Sequence, residues 1–125
     1  MIKLTQFRIP ATEVLPLIRR KQARTNKRDL IHDFQVNVTS QRLILFKNKG
    51  TKCASCGISG IFFQLERHNT NEHYHLALYA INRHGHKILM TQDHIIPLSK
   101  NGRNTMKNLQ PMCIKCNTKK GNQIL

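Results

Sequence analysis

The sequence predicts a small α+β domain of antiparallel hairpins closed by a helix, stapled by a four-cysteine metal site and preceded by a helical, basic N-terminal extension. Three observations predict it. All four cysteines fall in two Cys-x-x-Cys pairs, Cys53/Cys56 and Cys113/Cys116. From residue 50 onward, alternating apolar runs are punctuated by turn residues. Before that point, six cations and no acid lie between Arg19 and Arg28. A chain of 125 residues has room for one modest core. No Gly/Ser linker, repeat or low-complexity tract separates the halves. The expected organisation is therefore an extension over residues 1–50, packed on or leading into a core over 51–125.

Along the extension, Thr12 is placed to cap a helix over Glu13 to Ala23, with Pro16 tolerable only near its first turn. Phe34, Val36 and Val38 alternate with polar residues and read as a short strand. Ser40 caps a helix over Gln41 to Asn48, which Gly50 ends. In the core, strands are expected at Gly60 to Arg67, Tyr74 to Asn82 and His86 to Gln92, with turns at Asn69–Asn71 and Arg83–Gly85. Leu76, Leu78 and Ala80 share one face of the middle strand. A loop at Pro97 to Asn104, a strand near Leu109 to Met112 and a helix from Ile114 to Lys120, stopped by Gly121, complete the chain.

Charge narrows the partner. Lys plus Arg number 21 against 6 Asp plus Glu, a formal net charge of +15 with a pI near 10.4. Such an imbalance points to a polyanion, and nucleic acid comes first. A membrane span is excluded, because the longest apolar runs, such as Leu43–Phe46, fall far short of the ~20 residues it requires. The first residues lack a secretory h-region and cleavage site, so a reducing, cytoplasmic setting is expected. That setting favours zinc over two disulfides for the cysteines. The 56 residues between the pairs exceed the ~15 to 20 of a compact zinc ribbon, so the ion would tie distant segments together. The run Arg19, Arg20, Lys21, Arg24, Lys27 and Arg28 reads as a phosphate-contacting arm, with a solvated face as the plainer alternative.

Asp93 is the only carboxylate between His73 and Leu125, a span that carries eight Lys or Arg. It could be a salt-bridged acid or a turn residue. Beside it stands His94, which sets a hard oxygen ligand next to a titratable base. His73 and His75, spaced i, i+2 on one strand face, could ligate metal but read first as surface or packing residues, and His84 and His86 read as hairpin residues. No aromatic stripe interleaves the cations, so a stacking platform for single strands is not indicated.

Three segments in order, Asp93-His94-Ile95-Ile96-Pro97-Leu98-Ser99-Lys100-Asn101-Gly102, then Asn108-Leu109-Gln110, then Cys113 to Gly121, resemble the HNH endonuclease signature. With the Cys53/Cys56 knuckle, the resemblance covers about residues 51 to 122. It implies a ββα-metal fold with His94 as general base, Asn108 as the middle letter and Asn117 in the final position, where His is common. It also implies Asp93 and Asn117 as ligands of a catalytic divalent ion, Mg²⁺ or another such as Mn²⁺, and Cys53, Cys56, Cys113 and Cys116 as ligands of a structural zinc. Asn108 is expected to bridge backbone groups across the loop rather than react.

The chemistry agrees with these residue types. Phosphodiester hydrolysis needs an activated water in line with the departing oxygen and positive charge to offset what builds on the phosphoryl group. A His with an ordinary pKa of ~6.5 is largely neutral at pH 7 and can take a proton. One carboxylate and one amide oxygen, with positions left for water, suit Mg²⁺. Lys119 and Lys120 are placed to contact the DNA backbone, or to cap a solvated helix end. The expected activity is metal-dependent hydrolysis of DNA, in duplex form, in a bacterial cell or phage-infected host. The competing readings are a non-catalytic zinc-ribbon nucleic-acid-binding protein and a basic RNA binder.

Overall fold

The computed structural model describes residues 2–20, 29–31 and 34–125. In chain order the elements are β1 (Ile2–Pro10), α1 (Ala11–Val14), a 3-10 turn (Leu15–Leu17), β2 (Asp29–Ile31), β3 (Phe34–Val36) and α2 (Gln41–Lys49). They continue with β4 (Phe62–Arg67), β5 (His75–Ile81), β6 (Lys87–His94), two 3-10 turns (Leu98–Lys100, Met106–Asn108), β7 (Leu109–Cys113) and α3 (Ile114–Lys120). Five strands form one antiparallel sheet in the order β1-β4-β5-β6-β7, while β2 and β3 pair separately.

Strand alternation explains the packing. Phe63, Leu65, Leu76, Leu78, Ala80, Ile88 and Met90 present one sheet face to the main core. Leu43 and Phe46 of α2 cover that face. Each of the Leu, Ile, Phe and Met side chains among them contributes roughly 1.5–3 kcal/mol when fully buried. α2 forms where expected because Ser40 accepts a hydrogen bond from the Leu43 N–H at 3.3 Å. It stops at Gly50, whose φ of +87° is costly for other residues. On the opposite sheet face, Phe62, Ala77 and Tyr79 make a smaller cluster. There the Tyr79 hydroxyl donates to buried Glu66, and the Lys87 ammonium lies 4.8 Å from the Tyr79 ring centre.

The first fifty residues depart from the expected helical extension. Residues 2–10 form an edge strand paired with β4. The helix expected over Glu13 to Ala23 shrinks to Ala11–Val14, with Pro10 rather than Thr12 at its N-cap. Pro16 has no N–H to continue i→i−4 bonding, so the chain tightens into the 3-10 turn. Ile18 then extends, with ψ 132°, and is fully buried. Residues 21–23 of the expected helix lie outside the described residues. By contrast, α3 spans the residues expected of it. No helix among the described residues is long and apolar enough to cross a membrane.

Candidate active site

β6, β7 and α3 follow one another as strand, strand and helix, and all three supply site residues. The β6–β7 register sets Asp93 opposite Gln110 and His94 opposite Leu109. α3 packs on β6 and starts at Cys113, whose sulfur accepts from the Cys116 N–H. Three residues expected to act together do line one open cleft: Asp93, His94 and Asn117 share it with Gln92, Pro97, Leu98 and Ser99.

Asp93 is buried at 6 % exposure, and its carboxylate is heavily engaged. Lys120 Nζ lies 3.1 Å from Oδ2 and 3.3 Å from Oδ1, and Gln110 Nε2 donates to Oδ2 at 2.9 Å. The same ammonium donates to the His94 carbonyl at 2.8 Å. Lys120 is 3 % exposed. This corrects the expectation that Lys120 contacts DNA: an ammonium held inside the fold by a carboxylate is not available to a phosphate. Lys119, one residue earlier, is exposed.

Asn117 donates through Nδ2 to Thr91 Oγ1 at 2.8 Å and to the Gln92 carbonyl at 3.3 Å. Both bonds use the amide nitrogen, so the oxygen is the group left for a ligand. The cleft thus offers one carboxylate and one amide oxygen. Among the described residues, Asp93 Oδ1 accepts from one partner only and retains a second lone pair. This donor set fits a hard divalent cation that keeps several waters.

His94 is half-buried at the end of β6, with Nε2 2.9 Å from Asn104 Oδ1. The loop after it is closed by Asn108. The Asn108 Oδ1 accepts from the Ile96 N–H at 2.8 Å, and its Nδ2 donates to the carbonyls of Ile96 and Arg103 at 2.9 and 2.8 Å. Asn108 therefore clasps the backbone beyond His94, as an amide across a long loop can. Gly102 lies under this clasp; a Cβ there would come 1.7 Å from the Ile96 oxygen, so no other residue fits without opening the loop.

The four cysteine sulfurs lie within 4.8 Å of one another, and no two form a disulfide. A Zn–S length near 2.3 Å in a tetrahedron spaces sulfurs about 3.8 Å apart. Cys56 Sγ and Cys113 Sγ are 3.8 Å apart. Each knuckle repeats one bond: Cys56 N–H to Cys53 Sγ and Cys116 N–H to Cys113 Sγ, both at 3.5 Å. Burial opposes ionisation of Cys53, yet backbone hydrogen bonds at Cys113, Cys56 and Ser55 draw its pKa down to about 6. Burial pushes the Cys113 thiol up to about 12. The residues fit zinc. The Ala54 N–H donates to the Pro111 carbonyl at 2.9 Å, which stitches the first knuckle to β7.

Residues 82–123 match the family model for HNH endonucleases. These 42 residues, about a third of the chain, are similar to HNH endonucleases. No curated protein and no solved structure matches the chain. The HNH segment begins at the β5–β6 turn and ends just past α3, so it contains Asp93, His94, Asn108 and Asn117 but only the second cysteine pair.

Sequence reasoning missed Asn104, Gln110 and the pairing role of Lys120. Asn117 and Lys120 are spaced i, i+3 and so share a helix face, a signal that places Lys120 beside β6. Gln110 follows from the hairpin register. Asn104 lies in a stretch whose composition reads only as loop. Of the expected phosphate-contacting arm, Arg20 is exposed and Arg19 half-buried, while Lys21, Arg24, Lys27 and Arg28 lie outside the described residues.

Proposed function

We propose that the protein is a divalent-metal-dependent endonuclease that hydrolyses phosphodiester bonds of duplex DNA through a ββα-metal site. The observation that carries this reading is the shared cleft: Asp93 and His94 from the end of β6 and Asn117 from α3 converge on it.

In this reading His94 takes the proton of the attacking water, and Asp93 and Asn117 hold the ion through oxygens. A divalent ion held there supplies charge neutralisation at the scissile phosphate and the departing 3′ oxygen. Lys120 and Gln110 fix the Asp93 carboxylate. Thr91 and the Gln92 carbonyl fix the Asn117 amide. Asn108 holds the loop that follows the base. Thiolate–zinc bonds at Cys113 and Cys116 would anchor the start of α3 next to Asn117. Lys119 and the cations from Arg19 onward supply phosphate contacts that position the strand without reading sequence. The products, by family resemblance, carry 5′-phosphate and 3′-hydroxyl ends.

A plasmid-nicking assay tests the reading. Wild type with Mg²⁺ should nick supercoiled DNA, and His94→Ala should lower the rate about a hundredfold or more. If both bind DNA and both are inert, the protein is a zinc-stapled nucleic-acid-binding module instead.

A further inference from the structure

The contact between His94 and Asn104 joins the reacting ring to a residue with no place in the motif. An amide oxygen only accepts hydrogen bonds. With Asn104 Oδ1 2.9 Å from Nε2, this contact is a hydrogen bond for the neutral tautomer that carries its hydrogen on Nε2 and keeps the lone pair on Nδ1. Asn104 is itself tied down. Its carbonyl accepts from Gln41 Nε2 at 3.5 Å, and Gln41 Oε1 accepts from Gln92 Nε2 at 3.2 Å. Gln41 opens α2, 63 residues away in sequence and outside the HNH segment.

We propose that Asn104 is a positioning residue that holds His94 in the Nε2-protonated tautomer, leaving Nδ1 to receive the water's proton, and that Gln41 anchors Asn104 from α2. The inference rests on the nuclease reading. In the step itself, the water O–H bond breaks and its proton goes to Nδ1. The oxygen bonds to phosphorus as the bond to the 3′ oxygen breaks with its electron pair, and the 3′ oxygen takes a proton from solvent water. The ring then bears hydrogen on both nitrogens, and the Nε2–H···Oδ1 bond becomes charge-assisted, so it is stronger after proton transfer than before. An interaction that strengthens along the reaction raises kcat rather than substrate affinity. The opposite amide orientation would present Nδ2 to Nε2, place the hydrogen on Nδ1 and leave the ring's one lone pair engaged with Asn104.

Nitrogen-15 NMR of the histidine rings reads the tautomer directly, in chain that holds zinc but neither magnesium nor DNA. Comparison with His94→Gln assigns the ring, and the spectrum is taken where the imidazole is neutral. Wild type should show hydrogen on Nε2 and a bare Nδ1. Asn104→Leu should lose that preference and lower kcat about tenfold to a hundredfold at unchanged KM. Asn104→Asp keeps an acceptor and should restore the wild-type ring signals and most of kcat. Gln41→Ala should cost less than Asn104→Leu. A wild-type ring protonated on Nδ1 overturns the proposal. So does an Asn104→Leu chain with wild-type ring signals and kcat. A chain that shows the Asn104-dependent tautomer but cuts no DNA removes the nuclease reading and leaves the coupling of the two residues standing.

Discussion

Lys120 grips both carboxylate oxygens of Asp93, at 3.1 and 3.3 Å, with both side chains almost wholly out of solvent. A buried pair of this kind adds little net stability over an apolar pair, but removing one partner strands a charge and costs roughly 3–5 kcal/mol. Lys120→Met should therefore lower the urea midpoint sharply. Asp93→Asn combined with Lys120→Met should recover most of the loss and still fail to nick DNA. Equal melting of the single and double variants would show that the pair is not what holds the ends of β6 and α3 together.

Lys119 and Lys120 are neighbours with opposite surroundings. Lys119→Ala should leave melting unchanged and reduce the salt slope of DNA binding by about one. An unaltered slope would place Lys119 on the solvated helix end.

The cysteine cluster predicts one zinc per chain by elemental analysis. Chelation should unfold the domain, since zinc binding and folding are coupled in small sites of this kind. Cys113→Ser should lose both zinc and cooperative melting. A metal-free chain with the native circular dichroism and melting temperature would contradict this.

Asp93, Asn117 and His94 should separate kinetically. Asn117→Ala should demand more Mg²⁺ for half-maximal nicking, because it removes one of the oxygens proposed to hold the ion. His94→Ala should lower the maximal rate at an unchanged Mg²⁺ requirement. Identical metal dependence in all variants would exclude Asn117 from the ion site.

His75 gives the stability a pH dependence apart from the cleft. Burial, then the Arg42 charge, lower its pKa, against weaker opposing effects of Glu66 and Glu72. The unfolded chain thus takes up the proton first as pH falls. Stability is fully present above the unfolded value of ~6.5 and declines below it, down to the lowered folded value. His75→Gln should flatten the fall in melting temperature below about pH 6.5. An unchanged pH profile would assign the fall to other groups.

Much of the molecule was legible because local signals agreed with tertiary ones. Ser40 and Gly50 bracket α2, and the Cys113–Cys116 spacing opens α3 as it closes the metal cluster. β1 was not legible because its alternation changes phase: Ile2 and Leu4 fall on even positions, Phe7 and Ile9 on odd ones. The structure places a register shift between Leu4 and Arg8, so the break in period is a bulge, not the absence of a strand. At the site, order and spacing singled out Asp93, His94 and Asn117, which line one cleft. Their supports were not legible: Asn104 and Gln41 meet only through tertiary contact, and the burial of Lys120 depends on how α3 lies against β6.

Several of the chain's cations are tied to backbone carbonyls. Lys47 donates to the Ile18 carbonyl, Lys49 to Leu109 and Arg42 to Leu76, in addition to the grip of Lys120 on Asp93. Side chains that spend donors on the backbone have fewer to offer a duplex phosphate. The ion release measured on association should thus count a subset of the formal +15. In this fold, basicity is divided between mortar and docking surface.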